Sequence, residues 1–185
     1  MKRFLELIFS LLGVVLAAPF LVILIPVIRL NSPGPAFFRQ ERVGKDQRTF
    51  VCWKLRTMAA GTKQAGTHEV SAASVTSVGH FLRKSKLDEI PQLWNVLRGE
   101  MSFVGPRPCL PTQHELIEER EKRGVFSVLP GITGLGQVNG IDMSDPERLA
   151  RCDAEYVNTR NLIVDLRLLC ETVLGAGRED RVRSS

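Results

Sequence analysis

The sequence predicts a mainly helical α+β fold with an apolar N-terminal segment that associates with a membrane. Three observations support this prediction. The 22 residues from Leu7 to Ile28 carry no charge. Two short segments with strand-type patterns follow, joined by a polar turn. Apolar residues at helical spacing mark most of the remaining chain. At 185 residues, the chain is long enough for one domain with a single hydrophobic core.

The charge balance narrows the classes of partner. A net charge of +5 and an isoelectric point near 9.3 favour anionic partners such as lipid head groups, phosphate-bearing substrates or nucleic acid. We do not expect a nucleic-acid partner, because the aromatic residues do not lie within a basic patch and no DNA-binding motif is present. The three histidines are scattered and receive no role. Four widely spaced cysteines favour reduced thiols over disulfides or a zinc site: Cys52, Cys109, Cys152 and Cys170.

The N-terminal apolar segment has three interpretations. A cleaved signal peptide is disfavoured, because its apolar region is usually only about 7–15 residues long. A spanning helix is possible, since about 20 residues cross the hydrocarbon core. The third interpretation is a hairpin that enters and leaves through the same face. Pro19 favours it by predicting a bend between two short arms, and the basic residues Lys2, Arg3 and Arg29 draw both ends to the cytoplasmic side.

The region after the apolar segment predicts a β-hairpin followed by a short helix. The elements are, in order, a turn-rich linker at 31–35, a strand at 36–44, a polar turn at 45–47, a strand at 48–58 and a mobile loop at 59–74. The spacing at 76–84 then predicts a helix that directs Val78, Phe81 and Leu82 inward.

The segment from Leu87 to Gly99 predicts a helix that begins at a pair of carboxylates. Its apolar residues recur at helical spacing, namely Leu87, Ile90, Leu93, Trp94 and Leu97, and Gly99 gives a stop signal. Pro91 is compatible with a helix that begins near Leu87 or Asp88, because the first four N–H groups of a helix have no intrahelical partner. This places Asp88 and Glu89 in the first turn, where those N–H groups point outward.

The rest of the chain predicts three helices and one loop. In order, these are a charged surface helix at 111–123, a glycine-rich loop at 130–140, and helices at 146–158 and 162–174, followed by a disordered tail. The last helix is amphipathic, with one apolar side formed by Leu162, Ile163, Leu166, Leu169 and Val173.

Asp88 and Glu89 have an ordinary explanation and a chemical one. Acidic residues in the first turn complement the helix dipole, by about 0.3–1 kcal/mol. However, Arg83, Lys84 and Lys86 precede them, and these cations favour ionised carboxylates. An ionised aspartate can act as a covalent nucleophile, and the N–H groups of the same helix end can bind a phosphate.

Basic residues elsewhere are candidate phosphate ligands. Arg107 stands between Pro106 and Pro108, which restrict the backbone and limit where the guanidinium can point. Lys54 and Arg56 lie two residues apart on one face of a predicted strand, which suits either a phosphate clamp or the polar face of an exposed hairpin. The glycines at 130–140 permit close approach to a ligand but match no P-loop or dinucleotide fingerprint.

Together these motifs resemble the bacterial sugar transferase family, the monotopic polyprenyl-phosphate phosphoglycosyl transferases. The most specific are L-D-E-I-P-Q-L-W-N-V-L-R-G-E-M-S-F-V-G-P-R-P from Leu87 and P-G-I-T-G-L-G-Q-V-N-G from Pro130. The stretches S-P-G-P-A-F-F-R-Q-E-R-V-G and W-K-L-R-T-M and the closing D-A-E-Y-V…V-D-L-R match in the same order. The resemblance therefore covers nearly the whole chain, which is similar to the minimal catalytic form of the family.

The resemblance implies a fold and a reaction. The fold has a re-entrant membrane helix at 1–30, a catalytic domain at 31–175 with a small β-hairpin and amphipathic interfacial helices, and a basic tail at 176–185. The implied reaction transfers a sugar 1-phosphate from a nucleoside diphosphate sugar, usually a UDP-sugar, to a polyprenyl phosphate such as undecaprenyl phosphate. It releases UMP and requires Mg²⁺. Its implied place is the cytoplasmic face of the bacterial inner membrane, as the first membrane step of glycoconjugate synthesis.

The resemblance also assigns site residues. The family's catalytic pair falls on Asp88 and Glu89, with Asp88 as the nucleophile and a magnesium ligand. The family's basic residue before the pair falls on Arg83, and its Pro-Arg-Pro motif falls on Pro106, Arg107 and Pro108. We add Lys54, Arg56, Gln137 and Asn139 as candidate residues for substrate or phosphate binding. Three positions depart from the family pattern. Ala18 stands where a serine often precedes the membrane proline, and Leu135 and Ile141 replace a tryptophan and an arginine. The identity of the sugar is therefore not carried over.

Two rival functions stay open on the sequence alone. A membrane-anchored protein that only binds anionic lipid would need a basic surface, but none of Asp88, Glu89 or Arg107 in particular. An ordinary glycosyltransferase with a lipid acceptor would release UDP rather than UMP.

Overall fold

A computed structural model describes residues 2–62 and 74–176. The helices are α1 (Lys2–Asn31), α2 (Ser77–Ser85), α3 (Gln92–Arg98), α4 (His114–Lys122), α5 (Leu135–Val138), α6 (Pro146–Thr159) and α7 (Leu162–Leu174). The strands are β1 (Phe37–Val43), β2 (Thr49–Leu55), β3 (Ser102–Val104) and β4 (Gly131–Thr133). Strands β1 and β2 form a small antiparallel sheet, and β3 pairs with β4 in parallel. The prediction of a mainly helical α+β fold with a β-hairpin is confirmed.

The chain forms two compact units, and each is described by itself. Among the described residues, unit 1 contains Lys2, Glu41–Val51 and the chain from Arg98 to residue 176. Unit 2 contains Arg3–Gln40 and the described part of Cys52–Leu97. Most of the predicted mobile loop and the predicted basic tail lie outside the described residues. The predicted boundaries of a catalytic domain at 31–175 stay a prediction.

Helix α1 runs from Lys2 to Asn31 and lies in unit 2 from Arg3 onward. It continues through Pro19, where the sequence predicted a bend between two arms, and through Pro26. Among the described residues, it is the one helix long and apolar enough to cross a membrane. One stripe along the helix is buried, formed by Glu6, Ser10, Ala17 and Ile28. Because these residues recur at helical spacing, a single face of α1 packs against the rest of unit 2. The opposite faces are apolar and exposed.

The second half of α1 packs on the base of the hairpin and on α2. Ile28 is buried with Ala36 of the linker, Leu55 of β2 and Leu82 of α2. Thr76 caps α2 by accepting a hydrogen bond from the Gly79 N–H at 3.0 Å. Helix α2 directs Leu82 inward as predicted and leaves Val78 half-buried. The prediction for Phe81 is wrong, because its side chain is 60% exposed.

The segment after α2 forms a tight turn before its helix begins. Lys86 adopts a left-handed conformation with φ of 58°, and residues Leu87–Glu89 form one 3-10 turn. Helix α3 begins only at Gln92. The predicted helix start at Leu87 or Asp88 is therefore wrong. Pro91 explains the delay, because it has no N–H to donate to the Leu87 carbonyl, which instead accepts a 3-10 hydrogen bond from the Ile90 N–H at 3.3 Å.

In unit 1, the predicted glycine-rich loop at 130–140 forms β4 and the one-turn helix α5 instead. A Cβ on Gly131 would lie 2.1 Å from the Gly105 nitrogen, and one on Gly134 would lie 2.1 Å from the Gly105 carbonyl oxygen. The glycines thus let two parallel stretches of backbone run in close contact, and the Gly105 backbone takes the space that a side chain at 131 or 134 would need.

Helix α7 has the predicted bounds, and its apolar side faces away from unit 1. The exposed residues are Leu162, Ile163, Leu166, Val173 and Leu174. The buried residues are Asp165 and Leu168. Asp165 accepts a hydrogen bond from the Tyr156 hydroxyl at 2.7 Å and pairs with Lys2 at 2.7 Å. Since a polar network fixes the inner side, the exposed apolar side is available to a lipid surface.

Candidate active site

The predicted catalytic pair lies in the 3-10 turn of unit 2. Asp88 is 7% exposed and Glu89 is 8% exposed, so both carboxylates are buried. The Glu89 N–H donates to the Lys86 carbonyl at 3.2 Å, and the Ile90 N–H donates to the Leu87 carbonyl at 3.3 Å. The prediction that these N–H groups point outward is therefore wrong for Glu89 and Ile90. The cations around the turn, rather than these amides, are the candidate groups for binding an anion.

Lys54 supplies the first of these cations. Its Nζ lies 2.7 Å from Oε1 of Glu89, and both side chains are largely buried. The strand is tied to α3 next to this pair, because the Trp53 N–H donates to Asn95 Oδ1 at 3.1 Å. The sequence grouped Lys54 with Arg56, whereas the fold pairs Lys54 with the carboxylate next to Asp88. This pair fixes the orientation of Glu89.

Arg56 is used differently. Its Nη1 donates to the Pro33 carbonyl at 2.6 Å, and its Nη2 donates to the carbonyls of Ser32 at 2.5 Å and Ile28 at 3.4 Å. The buried guanidinium thus binds the carbonyls at the end of α1, which a helix cannot satisfy by itself. These contacts give Arg56 a structural role, and its predicted contact with phosphate stays a prediction.

Arg83, at the end of α2, keeps a donor available. Its Nε donates to Thr57 Oγ1 at 2.9 Å. Its Nη1 is buried and has no hydrogen-bond partner among the described residues. A buried donor without a partner costs about 1–3 kcal/mol, so a structure that keeps one suggests a ligand that accepts from it. A phosphate oxygen is such an acceptor.

The predicted Pro-Arg-Pro motif lies in unit 1, on a loop whose backbone is held at four successive residues. Each carbonyl of Pro106, Arg107, Pro108 and Cys109 accepts a hydrogen bond of 2.9 Å, from Gly131 N–H, Arg120 Nη1, Arg42 Nη1 and Val43 N–H respectively. Pro106 and Pro108 are buried, whereas the Arg107 side chain is half-buried. The donors therefore fix the main chain on both sides of Arg107 and present its side chain at the surface of unit 1.

Arg120 is itself held by a buried ion pair. Its Nη2 and Nε lie 2.6 and 2.9 Å from Oδ2 of Asp153, and both side chains are 2% exposed. Burial raises the pKa of Asp153 above its ordinary value, and the guanidinium of Arg120 opposes that rise. Sequence reasoning missed Arg120 and Arg42. One signal was present for Arg120, because it follows the apolar Leu116 by four residues on α4 and so shares its inner face.

Gln137 and Asn139 follow β4 in unit 1. Gln137 Nε2 donates to the Ile132 carbonyl at 3.0 Å, while its Oε1 is buried without a partner among the described residues. Asn139 is exposed and contacts Cys152 Sγ at 3.8 Å. The buried thiol of Cys152 has a raised pKa, chiefly because burial disfavours the thiolate. Gln137 therefore keeps an acceptor that could bind a substrate hydroxyl, and Asn139 keeps an exposed side chain.

The carboxylates of this turn determine how a magnesium ion could bind. Within residues 2–62 and 74–176, no cluster of three or more metal-ligating side chains occurs. Mg²⁺ often binds through only one or two carboxylates together with the phosphates of a substrate. Asp88 lies beside Glu89, which is already paired with Lys54. This donor set fits an ion that arrives with a diphosphate, rather than a permanent protein cage.

Comparison with known proteins identifies relatives along almost the whole chain. A family model described as bacterial sugar transferase matches residues 1–178. The UDP-galactose-lipid carrier transferase of Erwinia amylovora is 38% identical over 93% of this chain and 40% of its own length. The UDP-glucose:undecaprenyl-phosphate glucose-1-phosphate transferase of Caulobacter vibrioides is 38% identical over 93% of this chain and 68% of its own length. The protein of the same name from Escherichia coli is 36% identical, over 94% and 39%. The chain thus spans about two fifths of two of these relatives and about two thirds of the third.

Proposed function

Because this chain belongs to the bacterial sugar transferase family, we propose that it transfers a sugar 1-phosphate from a UDP-sugar to undecaprenyl phosphate and releases UMP. The observation that supports this most strongly is the family match over residues 1–178, which includes the Asp88 turn and the Arg107 loop. Relatives named for this reaction with UDP-glucose match at 36–38% identity. A protein that only binds anionic lipid would have no use for a buried carboxylate pair.

The proposed reaction has two displacement steps at one phosphorus. An oxygen of Asp88 bonds to the phosphorus that bears the sugar, and the bond from that phosphorus to the bridging oxygen breaks. UMP leaves with that oxygen and its electron pair. An oxygen of undecaprenyl phosphate then bonds to the same phosphorus, the bond to Asp88 breaks, and the carboxylate is restored. The product is a sugar joined to the lipid by a diphosphate.

Two basic residues of unit 2, Lys54 and Arg83, support this role by position and charge. Lys54 holds Glu89 at 2.7 Å, so that Glu89 orients the turn. Arg83 has a buried donor that could bind a phosphate oxygen of the leaving UMP or of the sugar phosphate. In unit 1, we assign Arg107 to phosphate binding, because the carbonyls of its loop are held by other residues and a guanidinium suits bidentate recognition of a phosphate. We also assign Gln137 and Asn139 of unit 1 to substrate contacts.

We further propose that the reaction requires Mg²⁺, with Asp88 as its protein ligand. The ion would neutralise charge on the diphosphate of the substrate. Two observations support this assignment. Glu89 is already paired with Lys54, which leaves Asp88 as the carboxylate of the turn for the metal. Mg²⁺ needs only one or two protein carboxylates when it also binds the phosphates of a substrate.

We propose that α1 enters and leaves the membrane on one face. Both of its ends bind the same unit: Arg3 Nη2 donates to the Val96 carbonyl at 2.5 Å, and Arg56 binds the carbonyls of Ile28 and Ser32. A 30-residue helix is about 45 Å long, which exceeds the roughly 30 Å of the hydrocarbon core. A helix that crossed the bilayer would place its two ends on opposite sides, so contacts from one unit to both ends favour a monotopic course. The proposed face is the cytoplasmic face of the inner membrane.

The exposed apolar side of α7 supports attachment of unit 1 to the same kind of surface. Ile163, Leu166 and Val173 are exposed there, while the polar Asp165 points inward. An amphipathic helix of this kind lies in the interface between head groups and acyl chains.

Analysis of the nucleotide product tests the proposed function. Purified protein in detergent, given Mg²⁺, a UDP-sugar and undecaprenyl phosphate, should release UMP in proportion to the lipid product. A panel with UDP-glucose, UDP-galactose and UDP-N-acetylgalactosamine also identifies the sugar. Release of UDP in place of UMP would establish the rival glycosyltransferase. Absence of any nucleotide product with every sugar would favour the lipid-binding alternative.

Cysteine labelling tests the membrane course. Single cysteines placed ahead of Lys2 or at Asn31, in a chain with Cys170 replaced by serine, should both resist an impermeant maleimide applied to spheroplasts. Both should react after the membrane is permeabilised. Labelling of one site alone in intact spheroplasts would establish a spanning helix.

A further inference from the structure

Unit 2 contains an apolar cavity of about 300 Å³ that none of the proposed catalytic steps uses. Its wall on the α1 side includes Ala17 of the buried stripe and Leu21. Its opposite wall is formed by Phe37 and Trp53 of the hairpin, whose rings meet edge to face with centroids 6.5 Å apart. All of its lining side chains are hydrophobic, so the cavity suits a hydrocarbon chain rather than a sugar or a nucleotide.

The cavity adjoins the catalytic turn through the chain itself. Ile90 and Pro91 line it and follow Glu89 directly. On the hairpin side, Trp53 lines it and Lys54, the next residue, pairs with Glu89 at 2.7 Å. A hydrocarbon chain bound in the cavity would therefore place its head group near the turn that contains Asp88.

A cation lies at the hairpin side of the cavity. The Arg39 guanidinium stacks on the ring of Trp53, which lines the cavity, with its carbon 5.7 Å from the ring centroid. Arg39 therefore provides positive charge beside an apolar space. Such an arrangement is complementary to a molecule with a hydrocarbon chain and an anionic head, and it distinguishes this cavity from an ordinary packing defect in the core.

We propose that this cavity binds the phosphate-proximal isoprene units of the lipid acceptor and so sets where the acceptor phosphate stands relative to Asp88. The identity of the lipid rests on the proposed function. At about 30 Å³ per heavy atom, 300 Å³ holds on the order of ten atoms, or about two isoprene units. The remainder of a long polyprenyl chain would stay in the bilayer. Trp94 lines the cavity and is half-exposed, so the polyprenyl chain could extend past it towards the bilayer.

Tryptophan emission offers a direct binding test. The chain has two tryptophans, Trp53 and Trp94, and both line the cavity. Protein in nanodiscs of phosphatidylethanolamine and phosphatidylglycerol is titrated with farnesyl phosphate, with dodecyl phosphate as a straight-chain control. We expect a saturable change in emission with the prenyl phosphate and a much weaker one with the alkyl phosphate. Equal responses, or no saturable response, would overturn the proposal in favour of an acyl chain or an unused cavity.

Two adjacent alanines provide a matched pair of variants. Ala17 lines the cavity, whereas Ala18 is exposed on the outer side of α1. Ala17→Leu should weaken binding of farnesyl phosphate by about tenfold or more, because a few methylene groups in a filled site change affinity by this order. Ala18→Leu should stay within about twofold of the parent. Equal affinities in the two variants would contradict the proposal.

A second variant tests the cavity independently, in case Ala17→Leu does not fold. Trp94→Leu alters the half-exposed edge of the cavity and leaves Trp53 as a reporter. It should also weaken binding, and unchanged affinity would count against the cavity. Because binding is measured without a UDP-sugar, saturable binding without UMP release would refute only the proposed function. UMP release with unaltered lipid KM in Ala17→Leu and Trp94→Leu would refute only the cavity.

Discussion

Two arginines that the sequence predicted as phosphate ligands are used in opposite ways. Arg56 in W-K-L-R-T-M directs its guanidinium into unit 2, where it binds the carbonyls of Ile28, Ser32 and Pro33. Arg107 in G-P-R-P-C receives hydrogen bonds on its own carbonyl and on those of its neighbours, while its side chain is half-buried. In the first region the side chain stabilises the backbone. In the second region the rest of unit 1 stabilises the backbone that presents the side chain.

The difference indicates how to distinguish a structural cation from a functional one. A guanidinium that satisfies several buried carbonyls has few donors left for a ligand. A loop whose carbonyls are all satisfied by other groups has little freedom to move, so its side chain is pre-organised. The variants below are arranged from the largest expected effect to the smallest, and each tests one side of this comparison.

Arg120→Gln should have the largest effect on stability. It leaves Asp153 buried without its cation and removes the donor to the Arg107 carbonyl, so we expect a loss of about 3–5 kcal/mol in unfolding free energy. Thermal unfolding in detergent measures it. Lys122→Gln, on the same helix but exposed, is the matched control and should leave the unfolding midpoint close to the parent. An equal midpoint in Arg120→Gln would show that the loop does not depend on this pair.

Arg107→Gln should lose much activity and little stability. Removal of one charged donor to a reacting group typically lowers kcat by about 10²–10³-fold. The carbonyl contacts of the loop do not involve the replaced side chain, so the unfolding midpoint should fall much less than in Arg120→Gln. Initial rates of UMP release, measured beside the melting curve, test both statements. Near-normal turnover would remove Arg107 from the proposed site.

Arg56→Gln should show the reverse pattern. Loss of the charged hydrogen bonds to the Ser32 and Pro33 carbonyls should destabilise the protein by about 2–3 kcal/mol. Activity of the fraction that stays folded should fall much less than in Arg107→Gln. Arg29→Gln, an exposed change near the end of α1 that Arg56 binds, serves as the control. If Arg56→Gln kept its melting midpoint and lost turnover, Arg56 would be a phosphate ligand, as the sequence predicted.

Alkaline pH should loosen the Arg107 loop by a smaller amount. Burial raises the pKa of Cys109, the last residue of the loop, above its ordinary 9.0. The folded state therefore keeps this proton at a pH where the unfolded chain has lost it. The resulting stability is present below about pH 9 and is lost as pH rises through the folded pKa. The melting midpoint should fall less between about pH 8 and about pH 10 in Cys109→Ala than in the parent. Equal slopes would contradict this assignment.

The sequence predicted the elements well where local patterns decide them. Helix α7 has the predicted bounds, and the β-hairpin, α1 and α6 were all expected. It failed in two places. Pro91 delays α3 until Gln92, a local effect of its missing N–H. Gly131 and Gly134 lie against the Gly105 backbone, a tertiary contact that the periodicity of the sequence does not reveal.

The candidate site shows the same division. Motifs located Asp88, Glu89 and Arg107, because their neighbours in the sequence are distinctive. They did not locate Arg42 and Arg120, which act through long-range hydrogen bonds to the loop. They also placed Lys54 with Arg56, whereas Lys54 pairs with Glu89, which is 35 residues away in the chain. Partner choice among charged residues depends on packing that a single sequence does not specify.

The central claim is that Asp88 bonds covalently to phosphorus, and intact-protein mass spectrometry tests it most directly. Protein incubated with Mg²⁺ and the accepted UDP-sugar, without lipid acceptor, should gain the mass of one phosphosugar. Peptide mapping should place it on Asp88, and undecaprenyl phosphate should remove it. Asp88→Asn should fold normally and gain no mass. Near-normal turnover in Asp88→Asn, or an adduct on another residue, would contradict the account.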